Sequence, residues 1–261
     1  MIHNTAIIDK TAKLDPSVEI GPYAIIGKNV TIGKNCSVGP YTFIQYSEIG
    51  ENNKISNHAA IGNDAQDMKF KGGDNKVVIG NNNNIREFVT IHRGSINEVT
   101  GMGNNCFLMA YSHVGHDSVL EDNIYMANCA SLGGHVMVET GAILGALAAA
   151  HQYVRIGRLS MIGGGCMITQ DILPYMLANG DRAVLYGLNR VGLKRNGISP
   201  VAIRNLKKAY WMLFESKTIF TEALKAIEKM NEEEKMGAEV THLINFIKSS
   251  KRGICHTALT K

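Results

Sequence analysis

From Met102 to Ile168 every sixth residue is apolar: Met102, Leu108, Val114, Leu120, Met126, Leu132, Val138, Leu144, Ala150, Ile156, Ile162 and Ile168. Glycine follows six of these twelve positions. A period of six matches neither the turn of a helix nor the simple alternation of one long strand. It suits short straight segments joined by corners, each sending one large aliphatic inward. The residue four places further on is mostly small, as at Cys106, Ser112, Ser118, Ala130, Ala142, Ala148, Ser160 and Cys166. One large and one small inward side chain per segment fill a narrow prism without voids. Three such sides close a coil of eighteen residues, so the pattern predicts a parallel β-helix, a mainly β solenoid.

The same spacing begins near the start of the chain, at Ile2, Ile8, Leu14, Ile20, Ile26, Ile32, Val38 and Ile44, and slips by one residue before Ile49. Residues 63–78 lack it, yet Ile79 falls eighteen positions after Ile61. That spacing predicts a loop that replaces two sides of one coil and returns in phase. A second interruption covers residues 94–101. Excursions from a rigid scaffold are where binding residues concentrate. The pattern ends after Ile168, and Pro174 marks the exit. The predicted division is a β-helix over residues 1–174, an irregular connection over 175–198 and a helical domain over 199–261. Ser199-Pro200 reads as an N-cap with proline in the first turn, followed by the stripe Ile203, Leu206, Tyr210 and Leu213. Two more helices are predicted near 218–231 and 238–250, and the helical tail is placed to cover the open end of the solenoid.

A chain of 261 residues can bury a substantial core. It contains no apolar run long enough to span a bilayer, and its first residues lack the basic start and apolar block of a secretory signal. Five cysteines form no paired spacing, and Cys36, Cys106 and Cys166 fall on the small inward position. They read as buried residues of a reduced, cytoplasmic protein. Residues 199–261 carry eleven Lys/Arg against seven Asp/Glu, which accounts for the whole net charge of +4. Between Arg182 and Phe214 there are seven bases (Arg182, Arg190, Lys194, Arg195, Arg204, Lys207 and Lys208) and no acid. That stretch suits an acidic partner or a phosphate-bearing ligand. Nucleic acid is disfavoured, since no stacking aromatic series accompanies the bases.

Residues eighteen apart in such a coil stack about 4.8 Å from one another along the axis. By that rule His116, Gly134 and Gln152 form one column, Asp117 and His135 a second, and Gly133 and His151 a third. His113 lies one short segment before His116. Histidine near neutral pH can take a proton from an attacking hydroxyl or amine, and a carboxylate such as Asp117 can orient the ring. Acyl transfer also needs N–H donors for the tetrahedral oxyanion, and glycine lets substrate approach them closely. The competing reading of the cluster is a metal site.

The motifs are more specific than the period. Gln66-Asp67-Met68-Lys69, Ile85-Arg86-Glu87, Val89-Thr90-Ile91-His92-Arg93-Gly94, His113-Val114-Gly115-His116-Asp117, Gly134-His135-Val136, His151-Gln152 and Gly192-Leu193-Lys194-Arg195 are present. Together they resemble the UDP-N-acetylglucosamine O-acyltransferase family, across essentially the whole chain. The resemblance implies a left-handed β-helix, a homotrimer with sites between subunits and no resident cofactor. It implies transfer of an (R)-3-hydroxyacyl group from acyl carrier protein to the 3-hydroxyl of UDP-N-acetylglucosamine, the opening step of lipid A biosynthesis. By position, His116 would be the general base, Asp117 its partner and Gly134 the oxyanion donor. Asp67, Lys69, His113, His135, His151, Gln152 and Asn189 would contact substrate, and Gly164 would end the acyl groove. Lys194 and Arg195 would meet the carrier. Val191 and Asn196 depart from the family pattern, which often has Glu and a second Arg there. An acyltransferase acting on a sugar amine, a metal-dependent β-helix hydratase and a non-catalytic trimeric scaffold are the alternatives.

Overall fold

The computed structural model describes residues 1–97 and 99–257. Position 98, inside the second interruption, and residues 258–261, the end of the predicted helical domain, lie outside the described residues. The chain winds as a left-handed β-helix whose three faces are sheets of nine, eight and ten strands, parallel except for one antiparallel pair that ends the third. The faces start at Ile7–Ile8, Lys13–Leu14 and Glu19–Ile20 and are called first, second and third here. Most strands are only two residues long because each side must turn after six. Stacking follows the predicted repeat: Met126 pairs with Leu144, and Leu144 with Ile162. The aliphatic series from Leu108 to Ile168 lies in the core, and the small series from Cys106 to Cys166 is buried with it. Cys36 is buried as well.

Each corner has its own chemistry. The second-to-third corner is turned by Asn35, Asn52, Asn82, Asn105 and Asn123, with φ between 56° and 59°. Asparagine is among the few residues that tolerate this left-handed conformation. Of the run Asn81 to Asn84 only Asn82 turns the chain. Asn83 is buried, where its amide bonds the Gly103 carbonyl at 3.0 Å and its oxygen accepts from Cys106 N–H at 2.7 Å. The third-to-first corner carries a ladder of five rings, Tyr23, Tyr41, His58, Phe88 and Tyr111, stacked at centroid spacings of 4.8 to 5.2 Å.

All three irregularities of the repeat fall on the remaining, first-to-second corner. The loop after Asn63 does not replace two sides of a coil, contrary to the spacing argument. Ile61 stays on the first face, paired with Ile44 and Ile91, whereas Ile79 pairs with Ile49 and Met102 on the second. No side is lost. The excursion is a pure insertion, and its multiple-of-six length made a corner insertion look like a skipped half-coil.

Residues 175–198 are not irregular either. Met176–Asn179 and Val184–Leu188 form an antiparallel hairpin that extends the third face, and Arg190–Arg195 is a short helix, α1. Asn179-Gly180 is a turn signal of the kind that joins hairpin strands. Helix α2 (Pro200–Tyr210) starts as predicted, with the Ser199 hydroxyl accepting from Ala202 N–H at 3.1 Å. A π-helical turn over Trp211–Glu215 follows, then α3 (Phe220–Glu234) and α4 (Ala238–Lys248). None of the helices among the described residues is long and apolar enough to cross a membrane.

The helices do not seal the solenoid alone. The chain returns after α4, so that Asp171 N–H donates to the Gly253 carbonyl at 2.9 Å and Cys255 N–H to the Asp171 carbonyl at 2.8 Å. On the flank, the Arg155 guanidinium covers the Phe246 ring at 3.9 Å and His242 Nε2 meets Glu139 Oε2 at 2.9 Å. The inward aliphatics carry most of the stability. Replacing the fully buried Leu144 by alanine should lower unfolding free energy by about 2–5 kcal/mol in a denaturant titration. Lys54→Ala, on an outer surface, should stay within about 0.5 kcal/mol of native.

Candidate active site

The first-to-second corner gathers His116, Asp117, Gly134, His135, Gln152 and the two inserted loops. A cavity of about 430 Å³ lies there, walled by Gln66, Asp67, Met68, Lys69, Ile96, His116, His135, Gln152 and Tyr153. The eighteen-residue columns hold. His135 N–H donates to the His116 carbonyl at 2.9 Å, and Tyr153 N–H to the Gly134 carbonyl at 3.1 Å.

His116 Nδ1 donates to Asp117 Oδ2 at 2.7 Å. The Asp117 side chain is wholly buried, and the second loop supplies its counter-dipoles. Ser95 and Asn97 N–H groups donate to Oδ1 at 3.0 and 2.8 Å, and Ile96 N–H approaches Oδ2 at 3.4 Å. Thr100 Oγ1 accepts from the Asp117 N–H at 2.8 Å, fixing a backbone whose φ is 60°. The imidazole then lies against Gly134. A Cβ there would come within 2.5 Å of both Cε1 and Nε2 of His116, closer than side-chain atoms tolerate, so only glycine fits. The Gly134 N–H donates to no acceptor among the described residues.

His135 stacks on Tyr153 at 4.4 Å and meets His116 edge-on at 5.2 Å. Its Nε2 lies 3.4 Å from Asp117 Oδ2. Burial holds its pKa below the usual histidine value, Asp117 opposes that shift and His116 adds to it. His113 sits beside the cavity rather than in its wall. Its Nδ1 pairs with Thr90 Oγ1 at 2.8 Å, and burial, with His92 and His116 nearby, pushes its pKa down to about 4. In the first loop Asp67 is held by Lys69 N–H at 3.0 Å and the Ser95 hydroxyl at 2.7 Å, which keeps its carboxyl below the usual range.

Ligating atoms of His116, Asp117 and His135 lie within 4.8 Å of one another, a spacing a metal ion could use. The carboxylate, however, is already met by backbone N–H donors and His116, an arrangement that orients an imidazole rather than leaving oxygens for an ion.

Comparisons with known proteins bear on the fold and the family. Residues 11–46 match the model of bacterial transferase hexapeptide repeats, and residues 171–255 that of the second domain of UDP-N-acetylglucosamine O-acyltransferase. An acyl-[acyl-carrier-protein]--UDP-N-acetylglucosamine O-acyltransferase of Burkholderia lata is 42% identical over 209 residues, covering 79% of this chain and 80% of that protein. The chain belongs to this acyltransferase family. A relative of the same name from Nautilia profundicola is 42% identical over 79% of each. The solved UDP-N-acetylglucosamine acyltransferase of Francisella novicida superposes with a TM-score of 0.94 at 36% identity, covering 99% of this chain and 95% of that one. That of Moraxella catarrhalis gives 0.92 at 39%, covering 97% and 98%.

Not every residue that the family resemblance singled out reaches this cavity. His151 is exposed, with Nδ1 3.2 Å from the Gln152 carbonyl oxygen, and lies outside the walls. Asn189 caps α1: its amide donates to the Leu159 carbonyl at 2.9 Å and its oxygen accepts from Gly192 N–H at 3.0 Å. Asn196 closes the other end of that helix, donating to the Gly192 carbonyl at 2.9 Å, and Val191 is exposed. Asn189 and Arg195 line a separate cavity of about 540 Å³ against the third face, with Ile143, Met161 and Leu177. Lys194 lines a different cavity of about 580 Å³, with Arg190, Arg204 and Lys207. Gly164 is exposed on the third-to-first corner, a different edge of the prism. The sequence reading missed Tyr153, which the eighteen-residue rule places directly on His135. It also missed Ser95, Asn97 and Thr100, whose roles are backbone donors or a short hydroxyl and leave no pattern.

Buried His92 and half-buried His113 contribute to the acid sensitivity of the fold. His92 and His113 both have pKa values below the histidine norm, with burial the largest cause. The unfolded chain therefore binds more protons than the native one below the ordinary histidine value, so stability falls as pH drops. The melting temperature should decline from about pH 7 to about pH 5. His113→Gln should flatten that decline, and an unchanged slope would contradict the assignment.

Proposed function

We propose that this O-acyltransferase moves an (R)-3-hydroxyacyl group from the thioester of acyl carrier protein to the 3-hydroxyl of UDP-N-acetylglucosamine, the first step of lipid A biosynthesis. The relatives' shared name supports both substrates. The observation that carries the mechanism is the pair of contacts on His116: Asp117 takes Nδ1, and Nε2 lies at the cavity over Gly134.

In the step proposed, His116 Nε2 accepts the proton of the sugar 3-hydroxyl as its oxygen bonds to the thioester carbonyl carbon. The carbonyl becomes an oxyanion and is met by the Gly134 N–H. The C–S bond then breaks, the oxyanion re-forms the ester carbonyl, and the imidazolium returns its proton to the departing thiolate. Asp117 holds the tautomer and stabilises the imidazolium. Asp67, Lys69, His135 and Gln152 hold the sugar nucleotide, with His113 beside them. No resident cofactor is required, since the acyl group arrives on phosphopantetheine.

A homotrimer with sites between subunits fits the layout. Gly164, Asn189 and Arg195 lie on edges that His116 does not share within one chain, so a neighbouring copy is the natural source of those contacts. Exposed apolar residues on the faces, among them Ile7, Tyr125 and Met167, suit such packing. A glycine at position 164 leaves the groove end open for a long acyl chain. Lys194 and Arg195, in no ion pair among the described residues, suit the acidic carrier. Five cysteines outside any disulfide suit the reducing cytoplasm.

The deciding assay combines purified protein, UDP-N-acetylglucosamine and a ladder of hydroxyacyl carrier proteins. An ester on the sugar is expected, and an amide would redirect the reading to a sugar amine. His116→Ala should fold normally while kcat falls about a hundredfold or more; retained turnover would remove His116 as the base. Replacing Lys194 and Arg195 together by alanine should raise the Michaelis constant for the carrier and flatten its salt dependence. An unchanged constant would exclude that patch.

A further inference from the structure

Residues 64–75 bring Asp67 and Lys69 to the cavity, yet the insertion contains no strand or helix of its own. Something outside it must fix its shape. Arg93, the first residue past the neighbouring strand Thr90–His92, is a buried guanidinium whose side chain is only 6% exposed. Its contacts fall on both ends of the loop. Nη2 donates to Asp64 Oδ1 at 2.7 Å where the loop leaves the coil, and Nη1 to the Gly73 carbonyl at 2.7 Å where it returns. A weaker contact from Nη1 reaches the Asn75 carbonyl at 3.4 Å. The guanidinium carbon also lies over two rings, 4.0 Å from the ring centre of Tyr46 on the coil and 4.9 Å from that of Phe70 in the loop. Arg93 N–H donates to the Asn63 carbonyl at 3.0 Å, so its backbone is part of the same joint.

We infer that Arg93 is a positioning residue for the acceptor: it closes residues 64–75 into one shape, and so sets where Asp67 and Lys69 meet the sugar nucleotide. The fork geometry explains why arginine is needed. One planar group satisfies an aspartate at one end of the loop and a carbonyl at the other while lying over two rings, which a lysine ammonium cannot do. The joint reaches the general base only indirectly, through the Ser95 hydroxyl on Asp67 and the Asn75 amide on the Ser95 and Asn97 carbonyls. Asp117 takes its donors from Ser95, Ile96 and Asn97, which follow Arg93 in a different loop. Loss of Arg93 should therefore weaken acceptor binding and leave the chemical step nearly intact. A merely structural role would reduce the amount of active protein and leave the Michaelis constant alone.

The inference rests on the proposed acceptor, and the test separates the two. Steady-state rates are measured for the native chain, Arg93→Met, Arg93→Lys and Phe70→Leu, varying UDP-N-acetylglucosamine at saturating acyl carrier protein. Arg93→Met should raise the Michaelis constant for the sugar nucleotide about tenfold, with kcat within about threefold of native. Arg93→Lys should recover part of that loss. Phe70→Leu, confined to the loop, should reproduce part of it even if the Arg93 variants fold poorly. Trypsin should cut at Lys69 and Lys71 faster in these variants, and saturating sugar nucleotide should slow the cut. Native Michaelis constants in Arg93→Met and Phe70→Leu, a fall confined to kcat, or unchanged cleavage would each overturn the positioning role. A native chain that fails to turn over the sugar nucleotide would overturn the functional reading instead.

Discussion

Parallel strand pairing at an interval of one coil is the constraint on which everything else depends. Each two-residue strand hydrogen-bonds to the strand one turn before and one turn after it, so no side can lengthen without displacing its neighbours. The core answers with one large and one small inward residue per side. Variation is pushed to the corners, and one corner takes nearly all of it. There the coil loses a residue before Ile49 and gains two loops, while Ile61, Ile79, Ile91 and Met102 keep their faces.

The chemistry grows from that concentration of irregularity. Asp117 sits on a regular corner, but its carboxylate is satisfied by N–H groups of the loop one coil earlier. His116 is oriented by Asp117 and accommodated by the missing side chain of Gly134 one coil later. The Ser95 hydroxyl bonds Asp67 across the two loops. Four successive levels of the solenoid are thereby joined into one preorganised site, on a scaffold too stiff to let them drift.

Much of this was legible in the chain, for a physical reason. Periodicity reports which side chains face inward, so the coil, the buried cysteines and the meeting of His116 with Gly134 follow from counting. The start of α2 follows from Ser199 and Pro200. Counting failed where length coincided with the period: Ile79 lies eighteen residues past Ile61, and that number cannot distinguish an insertion from a skipped side. Pattern also failed where the contribution is made by backbone, as with Ser95 and Asn97, or by a fork gripping loop carbonyls, as with Arg93. The hairpin before α1 was overlooked because its strands carry no hexad, although Asn179-Gly180 marked the turn.

The return of residues 253–257 to Asp171 and Leu185 bears on how such a molecule comes into being. The segment that seals the last coil is separated from it by three long helices, so it emerges from the ribosome well after the coil itself. A nascent solenoid thus presents unsatisfied strand edges for as long as translation of α2 to α4 lasts, and it is then most open to pairing with another chain. Closure of this edge therefore cannot precede the synthesis of α2 to α4.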